Sequence, residues 1–140
     1  MILLIDTNVI LDVLLNREEF VRDSSMVFKL CETKKAVDYI SILSFANIMF
    51  VMRKQLSSKQ IEEIFKKLSL IFNFSEINKN ILEMTIKYGW SDFEDSIQAA
   101  SGEIIKADYI VTRNIKDFVN SQIKAITPSQ LLFKLNSFLD

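Results

Sequence analysis

MILLIDTNVILDVLL, residues 1–15, holds the key to the fold. Four apolar residues, Ile2 to Ile5, run straight into Asp6, Thr7 and Asn8 before an apolar periodic segment resumes at Val9. An apolar run of that length bounded by polar residues predicts a buried strand, and the segment after it predicts a helix capped by Thr7 or Asn8. A carboxylate at the end of a core strand calls for a reason. Asp6 could cap the next helix, but its place directly after the strand favours a functional group.

The same alternation continues down the chain. The stretch 20–34 carries Val21, Met26, Val27, Leu30 and Cys31 at helical spacing, 36–43 (AVDYISIL) reads as a second strand, and 45–56 as a helix. SSKQIEEIFKKLSL opens with serines suited to N-capping and repeats Ile61, Ile64, Phe65 and Leu68 on one face. A short strand is expected over 70–74, and a helix over 78–88 that Gly89 ends. WSDFEDSIQAASGEIIKA predicts a helix in which Ala99 and Ala100 permit close packing, DYIVT a strand, and IKAI a last short strand before Thr127 and Pro128 open the terminal helix. Strands separated by helices predict an α/β fold with a parallel sheet covered on both faces.

At 140 residues the chain suits a single domain over 1–140 with a real hydrophobic core. Two glycines and one proline leave little room for linkers. The lone cysteine, Cys31, sits in an apolar helical pattern, so no disulfide framework is available and a reducing, cytoplasmic setting is expected. No apolar stretch is long enough to cross a membrane. The absence of histidine excludes Ser-His-Asp and Cys-His catalysis and imidazole-ligated zinc. Catalysis in this chain would rest on carboxylates, lysines or a metal. A formal net charge of -1 gives no global attraction to nucleic acid, so phosphate binding would need a local basic patch or bound cations.

In open α/β sheets functional groups gather beyond the carboxyl ends of the strands. Asp6 is expected there, as is the loop of YIVTRNIKDF that carries Thr112, Arg113, Asn114 and Asp117. Asp92 and Asp95 are three apart and so share one helical face, although with Glu94 they also suit the acidic first turn of a helix and a Ser91–Glu94 capping box. Converging carboxylates repel one another unless a divalent cation holds them, and oxygen ligands suit Mg²⁺ or Mn²⁺. The expected chemistry is metal-assisted attack on a phosphodiester.

LLIDTNVILDVLL, SILSFANIMFVMRK, DFEDSIQAAS and ADYIVTRNIKDF, in that order, resemble the successive motifs of PIN domains, in particular the small prokaryotic ones that include the VapC-like toxins. The resemblance implies a Rossmann-like three-layer α/β/α sandwich around a central parallel sheet of four to five strands. It also implies Mg²⁺- or Mn²⁺-dependent ribonuclease activity, a homodimer, and an antitoxin protein that covers the site. Asp6, Asp95 and Asp117 match family acids as catalytic residues and metal ligands, with Asp92 as a supporting ligand. Thr7, Asn8, Thr112 and Asn114 match the polar residues that orient ligands or water, and Glu94 is expected to point elsewhere. The departure is Asn47, which stands where the family usually has glutamate and contributes no negative charge. Arg113, Lys116, Arg53 and Lys54 are candidates for contacts to RNA phosphates.

Two rival readings follow from the same residues. With Asn47 in place of an acid, the domain would be a catalytically weakened module that binds RNA or protein. A receiver-like domain or an aspartyl-phosphate phosphatase would also place an aspartate at a strand end. Those classes want a second acid near the first, and Asn8 stands two residues after Asp6.

Overall fold

The computed structural model describes residues 1–139; Asp140, the last residue of the expected domain, lies outside the described residues. The elements follow in the order β1 (Ile2–Ile5), α1 (Thr7–Leu14), α2 (Val21–Glu32), β2 (Val37–Ser41), α3 (Ile42–Met52), α4 (Ser58–Ile71), β3 (Asn73–Ser75), α5 (Lys79–Tyr88), α6 (Phe93–Ile104), β4 (Tyr109–Val111), a 3-10 turn (Ile115–Phe118), β5 (Ala125–Ile126) and α7 (Pro128–Leu139).

The sheet has five parallel strands in the order β3-β2-β1-β4-β5. The chain winds outward from β1 through β2 to β3, then returns to the other side of β1 for β4 and β5. The crevice between the carboxyl ends of β1 and β4 is therefore the topological switch point, where α/β sheets bind their ligands. Register brings Leu4 beside Ile110 and Ile5 beside Val111. Asp6 and Thr112 follow as the next pair, side by side at the top of the sheet.

Alternation along β1 divides the core. Leu3 and Ile5 pack with Val9, Ile10, Val27 and Leu131 in the layer that includes α1, α2 and α7, whereas Leu4 faces Ala99, Ile110 and Phe118 on the α6 side. This is the three-layer α/β/α arrangement. On α6 small residues let the helix approach the sheet: a Cβ at Gly102 would stand 3.4 Å from the Ile110 side chain. Cys31 is buried in the first layer, with its thiol pushed up by burial and then by the charge of Asp38, which keeps it protonated and unreactive.

Three element starts differ from the sequence expectation, each set by a cap: earlier than the apolar period in α1 and α3, and one residue later than the expected Ser91 in α6. Helix α1 begins at Thr7 with Asp6 itself as N-cap, accepting from the Thr7 amide at 2.9 Å. Helix α3 begins at Ile42, directly off β2, because Ser41 Oγ accepts from Ser44 N at 3.0 Å. Helix α6 is capped by Asp92, which accepts from Asp95 N at 3.0 Å, and not by a Ser91–Glu94 box. The third strand is also displaced. Helix α4 runs on through Leu70 and Ile71, whose carbonyls are capped by Lys34 Nζ at 3.0 and 3.1 Å, so β3 starts only at Asn73.

Candidate active site

Asp6 is nearly buried, 8% exposed, and its carboxylate is tied down by three elements. Oδ1 accepts from Thr7 N at the head of α1 and from Gln98 Nε2 on α6, at 2.9 and 3.1 Å. Oδ2 accepts from Thr112 Oγ1 at the end of β4, at 2.8 Å. Thr112 Oγ1 in turn accepts from the Asn114 amide at 3.1 Å, which fixes the loop beyond β4. Hydrogen bonds from one hydroxyl, one amide side chain and one backbone N–H hold the carboxylate in a single pose.

Behind Asp6 lies a buried polar relay. Gln98 Nε2 also donates to Ser44 Oγ at 2.8 Å, Thr7 Oγ1 donates to the same oxygen at 2.8 Å, and Ser41 Oγ is 3.1 Å from it. The Gln98 amide turns its nitrogen to both Asp6 and Ser44. That leaves Gln98 Oε1 buried with no hydrogen-bond partner.

A cleft of about 330 Å³ opens above this relay. Asp6, Asp95 and Glu94 supply its carboxylates, Asn8, Asn47, Gln98 and Asn114 its amides, and Leu43, Phe50 and Val51 an apolar wall. The structure thus brings Thr7, Asn8, Asn47 and Asn114 together with Asp6 and Asp95, and it adds Glu94, which was expected to point elsewhere. Asp117 is placed differently. It is exposed on the 3-10 turn and lines a neighbouring cavity with Asp92, Lys116 and, again, Asp95. Asp95 is the hinge between the two cavities.

Electrostatics mark Asp95 out. Its carboxyl is pushed up from the usual 3.8 to about 7, by partial burial first and then by the charges of Asp92, Asp117, Asp6 and Glu94. Acids from three segments repel one another across this edge of the sheet. An all-oxygen donor set with uncompensated negative charge, and the unpartnered Gln98 Oε1 beside it, fits a hard divalent cation. Among the described residues no three carboxylate or thiol groups stand close enough to form a ready ligand shell. The fit is to an ion such as Mg²⁺, which keeps several waters and takes one or two carboxylates plus substrate phosphates.

The basic candidates part company. Arg113 Nε lies 2.9 Å from Asp12 Oδ2, out of line for a hydrogen bond, and its guanidinium stacks 3.8 Å over the Phe20 ring. Asp12, fully buried, also meets Arg17 Nη1 at 3.4 Å and accepts from Ser24 Oγ at 3.0 Å. Arg113 is therefore committed to α1 and α2 and anchors the loop that carries Asn114. Arg53 folds back over the Phe50 ring, 3.8 Å from its centroid, at the rim of the cleft. Lys116 faces the second cavity, and Lys54 is exposed after α3.

With that geometry in place, comparison with known proteins is decisive. A family model described as PIN domain matches residues 3–116. The chain belongs to the PIN domain family. No curated protein sequence matches it. Among solved structures, this PIN domain is similar to a toxin-antitoxin complex from Klebsiella pneumoniae (TM-score 0.67, 24% identity, covering 89% of this chain and 96% of that one). It is similar also to VapBC-1 from nontypeable Haemophilus influenzae (TM-score 0.70, 17% identity, 92% and 99%). A third similar structure is VapBC2 from Rickettsia felis bound to a DNA fragment from their promoter (TM-score 0.69, 15% identity, 91% and 98%). At these identities the likeness is one of fold.

Sequence reasoning about this PIN domain missed Gln98 and Ser44. Both carried a signal. Gln98 lies one turn after Asp95 on the same face of a helix otherwise built of small and apolar residues there, and Ser44 lies one turn after the strand-end Ser41.

Proposed function

We propose that this PIN domain, with residues 1–140 acting as one unit, is a divalent-cation-dependent endoribonuclease and the toxin of a toxin–antitoxin pair. The observation that carries the reading is the Asp6 carboxylate, fixed at the switch point of the sheet in one cleft with Asp95, whose ionisation the neighbouring acids suppress. The toxin-antitoxin complexes among its structural neighbours support an antitoxin partner, which would cover this cleft; a homodimer belongs to the proposal as what the family resemblance implies. Among the described residues no helix is long and apolar enough to cross a membrane, and a buried reduced Cys31 suits the cytoplasm.

Asp6 and Asp95 would hold Mg²⁺ or Mn²⁺, with Glu94, Asn47 and the Gln98 carbonyl at the margin and Asp92 and Asp117 adding negative potential from the adjoining cavity. When bound, the cation supplies the positive charge that brings a phosphodiester among acids and makes water more acidic. The chain's own residues do the rest. Thr112, Gln98 and the Thr7 amide keep the Asp6 carboxylate correctly aimed. Asn8, Asn47 and Asn114 orient water or a phosphate oxygen, and Leu43, Phe50 and Val51 exclude bulk water. Lys116, Arg53 and Lys54 meet the strand's phosphates, whereas Arg113 acts through the loop it anchors.

Asn47 favours one alternative, a weakened domain that binds RNA or a protein without cutting, because the cleft loses a negative charge where it lines the wall. Cleavage of a labelled RNA pool in EDTA, Mg²⁺ or Mn²⁺ separates the two, run beside Asp6→Asn and Asn47→Glu. Metal-dependent cutting abolished by Asp6→Asn is the expected result. Equal cutting by Asp6→Asn would sink the mechanism, and cutting seen only in Asn47→Glu would establish the weakened module.

A further inference from the structure

The cavity next to the cleft, about 950 Å³, has an aromatic wall that the cleft chemistry does not use. Its walls carry the aromatic pair Tyr88 and Trp90 and the polar Ser91 and Asn120, with Lys116 as its cation, and it meets the cleft at Asp95. We propose that this cavity is a stacking subsite for one unpaired nucleobase of a single-stranded RNA whose backbone passes Asp95 into the Asp6 cleft. The inference rests on the ribonuclease reading and deepens it by naming the form of the substrate.

The aromatic pair is built as a rigid wall. Gly89, at φ +68°, closes α5 in the left-handed conformation and turns the chain toward the Asp92 cap of α6, so Trp90 sits in a tight turn between two capped helices. Its indole is stacked with Tyr88, centroids 5.5 Å apart and planes at 29°. Phe118, which is buried, meets Trp90 edge-on at 6.5 Å. The Tyr88 hydroxyl donates to Glu103, which fixes that ring in turn. An indole stacked on Tyr88 and braced edge-on by Phe118 has little rotamer freedom left to lose when a base lies against the part of it that lines the cavity.

The remaining groups match the parts of a nucleotide. A base offers a π-face to the indole, hydrogen-bonding edges to Ser91 and Asn120, and a phosphate to Lys116, in a cavity that Asp92, Asp95 and Asp117 also line. A paired base has both faces covered by its neighbours and cannot stack there. Stacking of this kind changes affinity roughly 5- to 150-fold per base.

Trp90 is the only tryptophan in the chain, so its emission reports on this cavity alone. The experiment titrates the full chain in EDTA, and the uncut Asp6→Asn chain in Mg²⁺, with a short single-stranded RNA of mixed sequence. An abasic strand of equal length serves as control, and binding is followed independently by anisotropy of a label on the strand. Quenching that saturates with the anisotropy and is absent with the abasic strand is expected, together with roughly tenfold weaker binding by Trp90→Leu and near-normal binding by Trp90→Phe. RNA that binds or is cut while Trp90 emission stays unchanged overturns the subsite and leaves the ribonuclease standing. An RNA that is neither bound nor cut overturns both. Should Trp90→Leu fail to fold, the quenching of the unaltered chain still decides.

Discussion

Replacing Asp95 with asparagine should make the metal-free protein more stable at pH 8 while removing a cation ligand. The carboxyl titrates at about 7 in the fold and near 3.8 in an unfolded chain. Folded protein therefore binds the proton more strongly, so stability is full below pH 4 and is lost as pH rises through 7. That difference corresponds to about 4 kcal/mol at face value. Asp95 is only partly buried, and solvent screening together with the favourable dipole at the start of α6 cuts this to about 1–2 kcal/mol. For a chain of this size that is a rise in melting temperature of roughly 3–8 °C for Asp95→Asn at pH 8 in EDTA. Wild type should recover the same margin on addition of millimolar Mg²⁺, because a ligand that binds only the folded state stabilises it, and the variant should recover much less. Thermal melts of both proteins at pH 5 and pH 8, with EDTA or Mg²⁺, read all of this at once. A variant that melts at or below wild type at pH 8 in EDTA, or that gains as much from Mg²⁺, would refute the account of mutual repulsion at the cleft.

Asp38 on β2 makes a second titration at the opposite end of the sheet: it is 2% exposed, Oδ2 has no hydrogen-bond partner, and burial pushes its carboxyl up to about 6 despite the nearby Lys34. Stability is lost as pH rises through 6, so Asp38→Asn should gain up to about 3 kcal/mol above pH 6 and nothing below pH 4, measured by urea unfolding across that range. Asp12→Ala should cost about 3–5 kcal/mol, since it strands Arg113 and Arg17 beside a buried gap; a denaturation midpoint within error of wild type would show that the ion pairs hold nothing together.

Much of the architecture was legible because the apolar runs are long and their ends are marked. Ile2 to Ile5 and the YIV of β4 are uninterrupted, Gly89 stops a helix only glycine stops so cheaply, and Pro128 starts one. The helix starts at Thr7 and Ile42 were hidden because a cap is one polar side chain, and Asp6 and Ser41 read equally well as strand ends. Leu70 misled for a different reason: an apolar residue at 77% exposure leaves no trace of its surroundings in the sequence. In the site, Asp6 and Asp95 stood out through their places on elements. The commitment of Arg113 to Asp12 could not, since nothing local in TRNIKDF tells that a carboxylate of α1 waits beneath it.

The hydrogen bond between Asp6 and Thr112 joins the start of the chain to a strand formed near its end. Asp6 and Thr112 lie 106 residues apart in the chain, so no fragment that lacks β4 contains the closed cleft. On the proposed ribonuclease reading, a growing polypeptide surrounded by RNA therefore carries no closed cleft until β4 has joined β1.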